Sequence, residues 1–290
     1  MNNYISEFND KYKSETIAIL EEVAKFYQDF DDMENETAFL ELKKATEEGN
    51  FYITVVGEFS SGKSTFLNSL MGEKFLPSFS NETTATINFL RSVKESPTQK
   101  EMLKINYADG HVEMIDGVDG KTIEKYVSTK GLENGIDVAK QVSSVEIFYD
   151  SKFLNNGVCL VDSPGLNGML ENHETITNNQ VKKSHAIIFM FKAEQPGSAS
   201  EFKTLESLRK KSNSIFLILN KIDCINPDEQ SVDDCIKTLI NNYSKVFPNI
   251  TSVPEIKPVA AYPALVARSK HNLSYHHKSN FTTEEKKELL

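Results

Sequence analysis

Residues 51–65 read Phe51-Tyr52-Ile53-Thr54-Val55-Val56-Gly57-Glu58-Phe59-Ser60-Ser61-Gly62-Lys63-Ser64-Thr65, a strand pattern running into a glycine-rich loop. The first six are β-branched or aromatic, the composition of a short buried strand. Gly57 to Ser64 then fits G-x-x-x-x-G-K-[ST]. In that pattern the glycines let the backbone curl so that successive N–H groups face phosphate oxygens. Lys63 is expected to bridge the β- and γ-phosphates, and the Ser64 hydroxyl to bind Mg²⁺. A helix expected from Lys63 to Met71 adds its positive dipole end. Strand, glycine loop and helix in this order form the expected phosphate cradle, with contacts from Gly57, Ser60, Ser61, Gly62, Lys63, Ser64 and Thr65.

Outward from the cradle, further buried-strand patterns occur at Val158-Val161, Ala186-Phe191, Ile215-Leu219 and Ile256-Ala260. Helical patterns at Glu174-Lys183, Ser200-Lys211 and Ser231-Phe247 separate them. This alternation predicts βαβ units in an α/β fold with a mainly parallel sheet. Between the first two buried strands, Thr84-Arg91, Met102-Tyr107, His111-Ile115 and Val142-Tyr149 read as strands with polar alternation. Asp109-Gly110 suits a hairpin turn, and Gly120-Thr129 a helix. Before the cradle, Ile17, Leu20, Val23, Tyr27 and Phe30 recur on one helical face. A second helix is expected from Thr37 to Glu48, with Phe39, Leu40 and Leu42 as its apolar residues.

A cradle alone does not separate ATP from GTP. Asn220-Lys221-Ile222-Asp223 follows a buried strand, on the sheet edge where open α/β folds bind ligands. An Asp223 carboxylate can accept two hydrogen bonds from the N1–H and 2-amino group of guanine, a donor pair adenine lacks. Asn220 is expected to tie this loop to the cradle, and the Lys221 stem to pack on the base. Asp162-Ser163-Pro164-Gly165 follows the strand Val158-Val161. Asp162 is expected to hold Mg²⁺ through a water, and the Gly165 N–H to contact the γ-phosphate. Thr83 or Thr84 is expected to complete the Mg²⁺ shell when that phosphate is present.

The formal net charge of -10 argues against a nucleic-acid binder, which needs clustered Lys and Arg. Cys159, Cys224 and Cys235 follow no CxxC spacing and read as reduced thiols, so a cytoplasmic setting is expected. No apolar run approaches the ~20 residues needed to span a bilayer. His271, His276 and His277 cluster in a polar stretch that reads as a solvated loop rather than a metal site. Lys182-Lys183 and Lys210-Lys211 read as solvated helix faces.

Gly57 to Asn68, Phe75-Leu76-Pro77 and Thr83-Thr84-Ala85 together resemble the dynamin superfamily, in particular bacterial dynamin-like proteins and more distantly mitofusins. The resemblance spans about residues 50 to 270. It favours Thr84, 21 residues after Lys63, as the switch Mg²⁺ ligand, and Pro258-Val259-Ala260-Ala261 as the last nucleotide box, with Ala260 and Ala261 contacting guanine. The 78 residues from Thr84 to Asp162 fit the enlarged central sheet of dynamin-type GTPase domains. The resemblance implies that residues 1–49 are part of a helical bundle and that 50–270 are the GTPase domain. It further implies that 271–290 start a C-terminal helical region cut short here. Leu166 stands where Ras-type enzymes carry a water-orienting Gln, and Arg91, the Arg nearest the motifs in sequence, is expected on a strand beyond the switch. A lone protomer is therefore expected to be slow.

The family's remedy is dimerisation across the nucleotide face, with itself or a paralogous dynamin-like chain. Ser60 matches the cradle residue that contacts a monovalent cation (K⁺ or Na⁺) there, while Phe59 departs from the Gln of dynamins proper. Ser60, Lys63, Thr84 and Gly165 are the expected catalytic set. The first functional expectation is a GTP/GDP-binding, GTP-hydrolysing membrane-remodelling enzyme, peripheral at the inner face of a membrane, with lipid as partner. Two others stand beside it: a regulatory or assembly GTPase of the Era or MnmE kind, and a nucleotide-gated scaffold with negligible turnover.

Overall fold

The computed structural model describes residues 2–77, 86–127, 132–133, 136–137, 141–165, 172–212, 214–250 and 252–269. The chain divides into two units, Met1–Phe51 and Tyr52–Leu290. The first is a helical hairpin of α1 (Asn2–Asp29) and α2 (Met33–Glu48). Ile17, Leu20, Val23 and Tyr27 are partly buried, and the Tyr27 ring stacks on Phe39 at 5.5 Å. Helix α2 begins at Met33, ahead of the expected Thr37, because Asp32 caps it: its carboxylate accepts the Asn35 backbone N–H at 3.3 Å. Phe30 departs from the expected apolar face. It lies past the end of α1 and is 69% exposed; Leu40 and Leu42 of α2 are exposed as well. The αL residue Gly49 ends α2, as its position after Glu48 predicts.

The second unit is built on strands β1 (Phe51–Gly57), β2 (Ile87–Ser92), β3 (Met102–Tyr107), β4 (Val112–Asp116), β5 (Leu132–Glu133), β6 (Ile136–Asp137), β7 (Val142–Tyr149), β8 (Val158–Asp162), β9 (Ala186–Lys192), β10 (Ile215–Asn220) and β11 (Ile256–Val259). Its helices are α3 (Lys63–Met71), α4 (Gly120–Val127), α5 (Asn172–Lys183), α6 (Ala199–Arg209), α7 (Val232–Val246) and α8 (Ala261–Arg268). Nine strands form one sheet in the order β11-β10-β9-β1-β8-β2-β7-β3-β4, while β5 and β6, which the sequence reading did not anticipate, pair apart from it. β1 is parallel to β9, β9 to β10 and β10 to β11, and β2 is parallel to β7. β2 is antiparallel to β8, and β3 is antiparallel to both β7 and β4. The fold is thus an α/β P-loop architecture with an enlarged, mainly parallel sheet.

Two cores sandwich the parallel strands. On one face Val55, Met190, Ile218 and Val259 pack with Phe66, Leu67 and Met71 of α3 and Ala261 of α8. On the other, Val56, Phe189, Phe191, Leu217 and Leu219 pack with Phe202 and Leu205 of α6 and Leu239 and Tyr243 of α7. Burial of each such side chain contributes roughly 1.5–3 kcal/mol, and burial on both faces explains why these strands read as unbroken apolar runs. The first core continues under the rest of the sheet, where Leu90, Leu103, Ile105, Val145 and Ile147 meet Ile123, Tyr126 and Val127 of α4.

Candidate functional site

β1 delivers the chain into the glycine loop at Gly57, and α3 starts directly after Gly62. Ser60 and Gly62 hold left-handed backbone angles, φ 61° and 89°, which curl the loop as an anion-binding nest requires. A Cβ on Gly62 would collide with Asn220 Nδ2, and one on Gly57 would lie 2.8 Å from the Met190 carbonyl. Both positions admit only glycine. Ser60 is exposed at the lip, Phe59 and Thr65 are partly buried, and Ser61 is fully buried with no hydrogen-bond partner for its hydroxyl.

Lys63 is buried, and its Nζ donates to the carbonyls of Gly57 and Glu58 at 3.2 and 3.1 Å. Loss of solvent pushes its pKa down to about 8. Asp162 and Glu58 pull it back up, and Lys192 adds to the fall. β8 ends at Asp162, also fully buried, whose Oδ2 accepts from the Ser64 hydroxyl at 2.8 Å. Burial lifts this carboxyl to about 6 against the opposing pull of Lys63, Ser64 and Asn88. Asp162 Oδ1 is buried without a hydrogen-bond partner. The next residue, Ser163, donates to the Val55 carbonyl of β1 at 2.7 Å, which pins the end of β8 beside the cradle. Gly165 follows, and a Cβ there would meet Phe59 Cα at 3.0 Å and Lys63 Nζ at 3.5 Å. That loop therefore lies directly on the cradle.

The base-side elements converge on the same edge. Asn220, the last residue of β10, is 1% exposed. Its Nδ2 donates to the Ser61 carbonyl at 2.9 Å and its Oδ1 accepts from the Ala261 N–H at 3.2 Å. One side chain thus joins the cradle, the Asn220-Asp223 box and the start of α8. Ala260 and Ala261 are buried at that junction. Lys221 takes the αL conformation, φ 65°, and its ammonium pairs with Glu194 at 3.3 Å. Asp223 is partly exposed, as a group that meets a ligand must be. Thr83, Thr84, Leu166, Phe79, His271, His276 and His277 lie outside the described residues.

The roles of Glu58 and Asn68 escaped the sequence reading. Glu58 stands inside the cradle, and its carboxylate accepts from Ser200 Oγ and pairs with Lys192 at 3.5 Å. An acidic residue in an anion-binding loop calls for a cation opposite it, so the signal was present at position 58; its partner on β9 was not legible. Asn68 on α3 holds the Phe75-Leu76-Pro77 stretch by a two-way bond, donating to the Leu76 carbonyl at 2.8 Å and accepting its N–H at 3.0 Å. Phe75 is buried against Tyr149. Arg91 does lie on β2 as expected, bonded to Glu146, Glu95 and Tyr52 on the sheet.

An oxygen pair from Ser64 and Asp162, with one carboxylate oxygen left over, fits a hard divalent cation such as Mg²⁺. Among the described residues no three His, Cys, Asp or Glu side chains gather to enclose a metal. Such a cation would therefore need phosphate oxygens and water to complete its shell. The arrangement can accept a polyphosphate on the nest and Lys63, and a base at Asp223.

The family model described as the Dynamin family matches residues 53–223. The chain is 31% identical over 196 residues to the bacterial dynamin-like protein of Nostoc punctiforme, covering 66% of this chain and 27% of that one. It is 27% identical over 233 residues to an uncharacterized protein in the xynA 3′ region of Caldicellulosiruptor sp., covering 80% of this chain and 54% of that one. Among solved structures, it superposes on an oligomerised bacterial dynamin pair, described as a mechanism for long-range sensing and tethering of membranes. That match has a TM-score of 0.58 at 20% identity, covering 88% of this chain and 40% of the other. The chain thus spans about half or less of the length of these relatives. Among the described residues, no helix is long and apolar enough to cross a membrane.

Proposed function

Because the chain belongs to the dynamin family, we propose that it binds GTP with Mg²⁺ and hydrolyses it to GDP and phosphate. Membership of this GTPase family implies the hydrolysis. One observation supports the site assignment most: Asn220 bridges Ser61 of the cradle and Ala261 of α8, so phosphate and base elements form one continuous surface. Gly57, Ser60, Ser61, Gly62, Lys63, Ser64 and Thr65 take the phosphates. Asp223 reads guanine, Lys221 packs on it once released from Glu194, and Ala260 and Ala261 line its far edge. Ser64, Thr84 and Asp162 (through a water) would hold Mg²⁺, which would supply charge neutralisation on the phosphates.

Phosphoryl transfer asks the protein for position and charge rather than covalent chemistry. Buried Lys63 is poised to do this, since its neighbours at present are carbonyls that a phosphate oxygen would replace. Gly165, lying against Phe59 and Lys63 Nζ, is set to sense the γ-phosphate through its backbone. With Leu166 next to it, the protomer is slow alone. Dimerisation through the GTPase face, with itself or a paralogous chain, speeds it, and a K⁺ or Na⁺ ion at Ser60 assists. The chain acts at a membrane surface from the cytoplasmic side, where GTP-dependent assembly remodels lipid, and takes no nucleic acid as partner.

GTP turnover measured against protein concentration, with ATP as the control and K⁺ exchanged for Na⁺, tests this reading. We expect a GTP-only rate whose value per protomer climbs with concentration and depends on the monovalent ion. Tight GTP binding with a negligible, flat rate would leave a nucleotide-gated scaffold instead.

A further inference from the structure

Asn88 sits at the second position of β2, directly opposite Asp162 in the antiparallel register with β8. Opposed side chains in such a pair share one face of the sheet and approach closely, and the next pair on that face is Leu90 with Leu160. Both Asn88 and Asp162 are fully buried. The Thr86 hydroxyl donates to Asn88 Oδ1 at 3.3 Å. That bond occupies the carbonyl end of the amide and leaves Nδ2 with its two N–H donors. Asn88 Nδ2 and Asp162 Oδ1 are both buried, and neither has a hydrogen-bond partner. A donor and an acceptor facing each other across one strand pair, each otherwise idle, is a costly arrangement unless something calls for both.

We infer that Asn88 is a positioning residue for the divalent cation: its amide, oriented by Thr86, steers the free oxygen of Asp162 and the water that oxygen holds. The inference rests on the nucleotide-and-Mg²⁺ reading of the site. Ser64 fixes only one oxygen of Asp162, so without a second donor the carboxylate is free to turn toward the buried Lys63 ammonium. The Asn88 amide, opposite Asp162 on the neighbouring strand, is the second donor that would keep the carboxylate turned toward the cation. Outer partners of this kind set ligand orientation, and their loss weakens metal affinity by about 10–100-fold. Asn88 bonds to Thr86 and faces Asp162 rather than the cradle loop or the Asn220-Asp223 box, so its effect is expected on the cation.

The test uses the full chain with mant-GDP as probe. Binding is first measured in EDTA, then Mg²⁺ is titrated and the midpoint read from the slowing of mant-GDP release; Mn²⁺ binding to the same complex is read by electron paramagnetic resonance. Asn88→Leu, close in volume but without the amide, is expected to match the native chain in EDTA and to shift both cation midpoints up by about 10–100-fold. Thr86→Val, which removes only the hydroxyl orienting the amide, is expected to shift them the same way by a smaller factor. It carries the test if Asn88→Leu does not fold. Cation midpoints equal to native in whichever variants fold would overturn the inference while leaving the nucleotide reading intact. An equal loss of mant-GDP binding with and without cation would also overturn it, by exposing a merely structural role. Failure of the native chain to bind mant-GDP at all would remove both.

Discussion

The two halves of the nine-stranded sheet obey different rules. β11, β10, β9 and β1 are parallel and carry helices on both faces, so β9 is buried at nearly every position. At the other end, β4 alternates exposed and partly buried residues, and its Val112 and Met114 are each 45% exposed. There one face meets α4 while the other carries a charged network: Arg91 with Glu146 at 3.0 Å, and Lys104 with Glu146 at 2.7 Å. Burial keeps Glu146 from falling further, but these cations and the Asn106 amide hold it below the usual carboxylate range. The lesson lies in where polar groups are placed. In the parallel half they cluster at the strand ends, where Asn220 bonds to Ser61 of the cradle and to the Ala261 N–H. In the mixed half they run along the strands and stitch one to the next.

If that division of labour holds, mutations in the two halves should separate ligand binding from stability. The largest effect is expected from Asp223→Asn, which removes the second acceptor for guanine. Preference for GTP over its adenine counterpart should fall on the order of 10³-fold, with an unchanged melting temperature, as competition against mant-GTP would reveal. A retained preference would place guanine reading elsewhere. Next, Arg91→Met in the mixed half leaves Glu146 with Lys104 and the Asn106 amide. Breaking a buried pair costs 3–5 kcal/mol; with both side chains about one-seventh exposed, about 2 kcal/mol of unfolding free energy is expected in urea titration. GTP affinity should not move, and a parallel loss of both would join the halves.

A smaller effect is expected from Gly62→Ala. The left-handed backbone at φ 89° costs an L-residue roughly 1–2 kcal/mol, and the new methyl presses on Asn220. Nucleotide affinity measured by calorimetry should drop more than this strain alone explains, because the Asn220 bridge to Ser61 is disturbed. The smallest pair tests the alternation of β4. Met114→Ser, at an exposed position, should change stability by no more than about 0.5 kcal/mol. Ile115→Ala, whose side chain packs on the core, should cost about 2 kcal/mol. Equal costs from the two would mean that β4 does not keep the register seen here.

Much of the parallel half was legible because its strands are short, apolar and followed by motifs whose chemistry is local in sequence. Gly57 to Ser64 needs only its own backbone to announce a phosphate loop, and α3, α6 and α7 begin within a residue or two of their expected starts. Legibility failed where a turn, or a neighbour distant in sequence, decides the outcome. Phe30 belongs to the apolar period of α1 by spacing, yet the turn through Asp31 and Asp32 ends the helix first. The pairing of β2 with β8 on one side and β7 on the other could not be read from alternation, because alternation reports which residues share a face and not which strand lies alongside. β5 and β6, two residues each, are too short for any period to register.

Read alone, the sequence pointed to an α/β chain carrying a glycine-rich phosphate-loop pattern, an Asp162-Ser163-Pro164-Gly165 turn proposed to serve magnesium and an Asn220-Lys221-Ile222-Asp223 box proposed to read guanine, since each is a contiguous run whose residue types carry its chemistry. The packed fold was needed to bring Asn220 between Ser61 and Ala261, Lys192 to Glu58, and Asn88 opposite Asp162 across β2 and β8. These contacts join residues 41 to 159 positions apart. They depend on strand order and register, which arise from how the whole sheet buries its apolar faces and not from any local run of residues.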